Sequence, residues 1–140
     1  MQLSLAQART LIDAALAEAR RQGFKPMGVV VIDNAAQVVA SAREDGASAL
    51  RLDIALGKAA ASIGMGANSR VLTQRAKDLP AFFNAIAAVA QQKFVPQTGA
   101  VLIKAADGSV IGAAGASGGT GEEDEEIIIA GVAAIGLTHG

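Results

Sequence analysis

The sequence predicts a layered α+β domain, with about five antiparallel strands and helices packed on the sheet. Three observations carry this. Two apolar, β-branched stretches fold back on themselves at Asp-led turns, Asp33-Asn34-Ala35-Ala36 and Asp107-Gly108. The segments around these hairpins follow helical rather than strand periodicity. A chain of 140 residues that is 51% hydrophobic and 18% charged is long and apolar enough for one domain, residues 1–140, around a buried core.

The elements follow in order. Ser4 and Gln7 read as a capping box for a helix over about 5–22. Leu5, Ala8, Leu11, Ile12, Ala15, Leu16 and Ala19 share one face of it, and Gly23 is its stop. Gly28 to Ile32 is apolar on both faces, which predicts a central strand covered on both sides, and Gln37 to Ala42 returns beside it. Ser48 is the expected cap of a second helix over about 49–66, where Gly57, Ala60, Ala61 and Gly64 keep one side small for a close neighbour. Residues 69–91 read as helix in two pieces broken at Leu79-Pro80, with Phe82, Phe83, Ile86 and Val89 on the apolar face of the second. A short strand is expected at Lys93 to Val95. A second hairpin follows, Val101 to Lys104 and Val110 to Ala114, with a type I′ turn at Asp107-Gly108. The loop Gly115 to Gly119 leads to a capping box at Thr120 and Glu123, opening a final helix to about Leu137. Ile127, Ile128, Ile129, Val132, Ile135 and Leu137 surround most of that helix, which predicts that one face packs on the sheet and another on a second subunit.

Composition narrows the function classes. The net charge is -1, with no clustered Lys and Arg and no Trp or Tyr, which argues against a nucleic-acid partner. There is no Cys, so disulfides and thiolate chemistry are excluded, and a reducing cytoplasm is the expected location. The N-terminus does not read as a signal peptide, and the longest apolar run falls far short of the ~20 residues of a membrane span.

The stretch Gly112-Ala-Ala-Gly-Ala-Ser-Gly-Gly-Thr-Gly-Glu-Glu-Asp124 resembles the signature near the C-terminus of the GlcG/HbpS-like haem-binding (haem-degrading) family. Val29 to Asp33, Arg43-Glu44-Asp45-Gly46-Ala47 and Asp53 to Ala59 resemble further stretches of it, so the resemblance covers nearly the whole chain. It implies a profilin-like α/β/α sandwich, homo-oligomers from dimer to octamer, and a site for haem or a related tetrapyrrole. It also implies kinship with the C-terminal domain of PduO-type cobalamin adenosyltransferases. The chain departs from the pattern at three places. The family's Gly-Gly-hydrophobic-Pro-Ile stretch is here Thr98-Gly99-Ala100-Val101-Leu102-Ile103. The turn at Asn34-Ala35-Ala36 lacks its usual Gly, and no His lies in the first helix or the sheet.

The candidate site residues each carry two readings. Gly118, Gly119 and Thr120 open a helix N-terminus that favours a carboxylate or propionate, or they serve a tight turn and a cap. Arg43 and Lys58 match the family pattern and either pair with a ligand carboxylate or make a structural contact, such as an Arg43–Asp45 turn lock. Asp45 and Lys58 are the acid–base candidates if the protein is an enzyme. Glu122 and Glu125, one helical turn apart, offer oxygen ligands to iron or form a solvated first turn. His139 reads as a terminal residue, and Met27 and Met65 as core.

Three functions are therefore carried forward. The leading one is an oligomer binding haem or a related tetrapyrrole or carboxylate ligand near a subunit interface. The second is a haem-independent tautomerase, hydratase or lyase acting on a small organic acid. The third is an accessory oligomer with a vestigial pocket. Haem and iron are the candidate cofactors, and the sequence requires neither.

Overall fold

The computed structural model describes residues 1–140. Its elements are α1 (Leu5–Gln22), β1 (Gly28–Asp33), β2 (Val38–Arg43), α2 (Arg51–Met65), α3 (Ser69–Asp78), α4 (Pro80–Val89), β3 (Ala100–Lys104), β4 (Val110–Ser117) and α5 (Gly121–Ala134). The strands form one antiparallel sheet in the order β2-β1-β4-β3, so the first strand of one hairpin pairs with the last strand of the other.

Alternation along the central strands builds two cores. Val29 and Val31 of β1 join Val101 and Ile103 of β3 on one face, under α1 and α5. Val30 and Ile32 turn to the other face and meet Leu102, Ala113 and the small side chains Ala55 and Ala59 of α2. β1 is thus buried on both sides, as its unbroken apolar run predicts. A satellite cluster under α3 and α4 gathers Leu72, Phe83 and Phe94. No helix is long and apolar enough to cross a membrane.

The sheet has four strands, not five. The segment at Lys93 to Val95 does not join it: Gln91 and Gln92 take positive φ, Pro96 follows, and the Val95 N–H donates to the Gly57 carbonyl of α2. Val95 fills the space beside Gly57, which is the close neighbour that the small side of α2 anticipates, whereas Gly64 faces nothing within 4 Å. α2 begins at Arg51 without a side-chain cap, and Ser48 contributes only its carbonyl, to the Arg51 N–H. β4 runs on to Ser117 through most of the expected loop. α5 stops at Ala134, because Gly136 turns left-handed at φ 71.

The second hairpin is not a type I′ turn. Ala105 donates to Ser109, Gly108 donates back to Ala105, and only Gly108 has positive φ, which is a type I turn followed by a glycine bulge. The first hairpin repeats this closure with Ala36 in the left-handed position, at φ 61.

α1 supplies the cover for α5 that a second subunit was expected to give. Gly131 lets α5 come up against Leu11, and no large apolar side chain of α5 is exposed. On α4 the expected apolar face is split: Phe83 is buried against Phe94, whereas Phe82 and Val89 are 56% and 85% exposed.

Candidate functional site

At one end of the sheet the last residues of β4 pass between α2 and the start of α5. Lys58 is buried there. Its ammonium donates to Asp124 Oδ2 at 3.0 Å and to the Ala116 carbonyl at 3.1 Å. The second oxygen of Asp124 accepts from the Gly119 N–H at 2.9 Å. One carboxylate therefore ties the glycine loop to α2, and with every lone charge answered by a hydrogen bond the pair tolerates its burial.

Over this floor opens a cleft of about 350 Å³, lined largely by polar side chains. Arg51, at the start of α2, is half-buried in its wall and donates from Nη1 to Ser117 Oγ at 3.1 Å. Gln97, Thr98 and Gly121 form the facing wall. That wall is held from behind by Ser69. Its hydroxyl oxygen accepts from the Gly99 and Ala100 N–H groups at 2.9 and 2.8 Å while its proton goes to the Ala100 carbonyl.

The charges of the cleft can be followed one by one. Lys58 is neutralised by Asp124. Glu122, at the rim, is bridged with Glu125 by the Arg70 guanidinium of α3. Its hydrogen bonds to Glu125 and Glu122, and then their negative charges, push the Arg70 guanidinium further from deprotonation. Arg51 alone among these cations has no carboxylate partner, and most of its guanidinium donors are unused.

The residues singled out from sequence are only partly brought together. Lys58 and Gly119 line the cleft. Gly118 lies behind it, and a side chain there would strike the Pro26 carbonyl and Met27. Thr120 caps α5: its hydroxyl accepts from the Glu123 N–H, and its own N–H donates to Glu123 Oε1. Arg43 ends β2 on the far side of β1 and donates to the Ala47 carbonyl at 2.7 Å, closing the turn without Asp45. Arg43 and Asp45 line a separate, open surface hollow with Arg20 and Glu44. Glu122 and Glu125 do converge, but on Arg70. His139 is exposed beside Arg70 and Val71, and Met27 is fully buried.

Sequence reasoning missed Arg51, Ser117, Gln97 and Thr98. Arg51 did leave a signal. A cation in the first helical turn opposes the macrodipole, and such a position invites a reason other than helix stability.

A family model described as haem degrading protein HbpS-like matches residues 3–133. The chain belongs to the HbpS-like family. Solved structures agree with this HbpS-like assignment. The PduOC–heme complex superposes with a TM-score of 0.88 at 25% identity, covering 99% of this chain and 98% of the other. A double mutant of HbpS from Streptomyces reticuli gives a TM-score of 0.83 at 25% identity, over 95% and 86% of the two chains. Klebsiella pneumoniae protein ORFY shares the fold, with a TM-score of 0.85 at 24% identity over 97% and 92%. No curated protein matches significantly in sequence.

For an HbpS-like chain the first question is whether the cleft suits haem. Its donor set fits the carboxylate edge of a tetrapyrrole, through Arg51 and Ser117. It does not fit the iron: no His, Cys or Met lines the cleft, and its one side-chain amine, Lys58 Nζ, is held by Asp124 and Ala116.

Proposed function

We propose that this protein binds a small planar carboxylate, haem or a related tetrapyrrole, by its acidic edge, and that Arg51 takes the carboxylate. The Arg51 guanidinium, the one cation of the cleft without a carboxylate partner, carries this reading. Two parallel N–H donors match a carboxylate oxygen pair, and Ser117 orients the fork. The family assignment favours a tetrapyrrole among such acids. Lys58 and Asp124 serve as a rigid floor, since both are bonded to each other and to the backbone around them.

The test compares three ligands on the apo-protein: haem, metal-free protoporphyrin IX and its dimethyl ester. Binding is followed by the Soret band and by porphyrin fluorescence. Haem and protoporphyrin are expected to bind with similar affinity, and the ester and the Arg51→Ala variant to lose about tenfold or more, the scale of one charge-assisted contact. Affinity indifferent to both the ester and Arg51→Ala would overturn the assignment.

A further inference from the structure

One face of α4 belongs neither to the cleft nor to the core. Phe83, Ile86, Ala87 and Ala90 seat the helix beside Leu72 and Phe94. The opposite side, with Ala81, Phe82, Ala85, Ala88 and Val89, lies open to solvent. Asn84 is the only polar side chain from Pro80 to Val89, and none is charged. A surface helix ordinarily turns charges to the water, and one that is apolar all round is covered all round. Phe82 is not folded down for shelter: its ring stands edge-on to Phe83, with the centroids 6.0 Å apart.

Charge identifies the cover. Arg75 and Lys77 lie in the last turn of α3, just before this helix, and Lys93 follows it. All three are exposed, and none has an ion-pair partner. Asp78, the only carboxylate from Ser69 to Lys93, accepts from Gln74 instead. That stretch holds four of the 12 Lys and Arg but one of the 13 Asp and Glu, in a chain of net charge -1. We propose that α4 lies on an anionic lipid surface, with Phe82 and Val89 in the acyl boundary and Arg75, Lys77 and Lys93 among the headgroups. Phe82 and Val89 are about two helical turns apart, so both reach the same plane when the helix axis lies along it. Apolar insertion or a basic patch holds weakly alone, and a peripheral protein needs the two together. A convex helix with alanines between its two larger side chains offers the anchors of a protein partner no pocket, whereas fluid lipid conforms to it. The chain runs from α4 into Val95, Gln97 and Thr98 of the cleft wall, so the docked face and the cleft share one segment.

Apo-protein and lipid vesicles test this with no porphyrin present, so the outcome is separate from that of the porphyrin titrations. The chain contains no Trp, so Phe82→Trp places a single fluorophore on the face. Its emission is expected to shift to the blue with mixed phosphatidylcholine and phosphatidylglycerol vesicles and to stay in place with phosphatidylcholine alone. Ala106→Trp, on the exposed β3–β4 turn, is expected to shift with neither. The wild type should co-sediment with the anionic vesicles. A Phe82→Ser, Val89→Ser double variant should lose about tenfold or more in affinity at unchanged far-UV circular dichroism. Arg75→Glu with Lys77→Glu should lose a similar amount. Raising salt from about 0.1 M to about 1 M shortens the screening length from about 10 Å to about 3 Å and should release the protein. Failure of the wild type to co-sediment with anionic vesicles, or equal binding by the folded double serine variant, would overturn the proposal. So would a lower mass of that variant by light scattering in vesicle-free solution, which would assign the face to a second copy of the chain.

Discussion

Lys58 and Asp124 stand 66 positions apart and meet as a 3.0 Å ion pair, 5% and 2% exposed. Removing one partner leaves the other charged and buried, so Lys58→Ala or Asp124→Ala is expected to cost about 3–5 kcal/mol in urea unfolding. Lys58→Met with Asp124→Leu together should cost far less than the two single losses combined. Simple additivity would show that the two do not act as a pair.

Arg51 separates binding from stability. Arg51→Gln keeps a donor for Ser117 but removes a cation from the positive end of α2. Stability should rise by about 0.3–1 kcal/mol while porphyrin affinity falls. A fall in both would mean that Arg51 supports the fold instead.

Ser69 braces the wall of the cleft through Gly99 and Ala100. Ser69→Ala strands two buried donors and is expected to cost about 2–4 kcal/mol. Amide exchange at Gly99 and Ala100 should accelerate more than at β1. Uniform acceleration across the sheet would show a global loss instead of a local one.

The two hairpin turns make a matched pair of tests. Ala36 holds φ 61, a conformation natural to glycine, and Gly108 holds φ 86. Relief of left-handed strain, less the entropy of an added glycine, should make Ala36→Gly stabilising by about 0.5–1 kcal/mol and Gly108→Ala destabilising by a similar amount. Both are read from the urea midpoint, and a destabilising Ala36→Gly would contradict the strained turn.

Asp107 gives a pH signature. The Ser109 hydroxyl, and then its N–H, donate to Asp107 Oδ1 at 2.6 and 3.0 Å and hold the carboxyl below its ordinary value of 3.8. A depressed folded value means that this contribution is present above the unfolded value and is lost as pH falls through the folded one. In an NMR titration the Asp107 midpoint should lie below 3.8 and rise in Ser109→Ala. A midpoint that does not move would remove Ser109 as the cause.

What could be read along the chain was the local order. The capping boxes at Ser4 and Thr120, the break at Pro80 and the doubly buried β1 all depend on neighbours within a few positions, and each is present. The glycine signature likewise led to the right family. Two errors were local, the Ser48 cap and the type I′ turn at Asp107-Gly108, but the larger ones arise where distant segments compete for the same surface. Val95 sits on Gly57 instead of joining the sheet, and α1 covers the face of α5 that had been assigned to a partner. The same holds at the site. Lys58 was legible as a residue of interest, but its partner, the isolation of Arg51 and the capture of Glu122 and Glu125 by Arg70 were not. Hydrogen bonds and ion pairs act over a few ångströms and are blind to sequence separation, so which charges cancel and which one is left to meet a ligand is settled only when the sheet brings β4, α2 and α5 together.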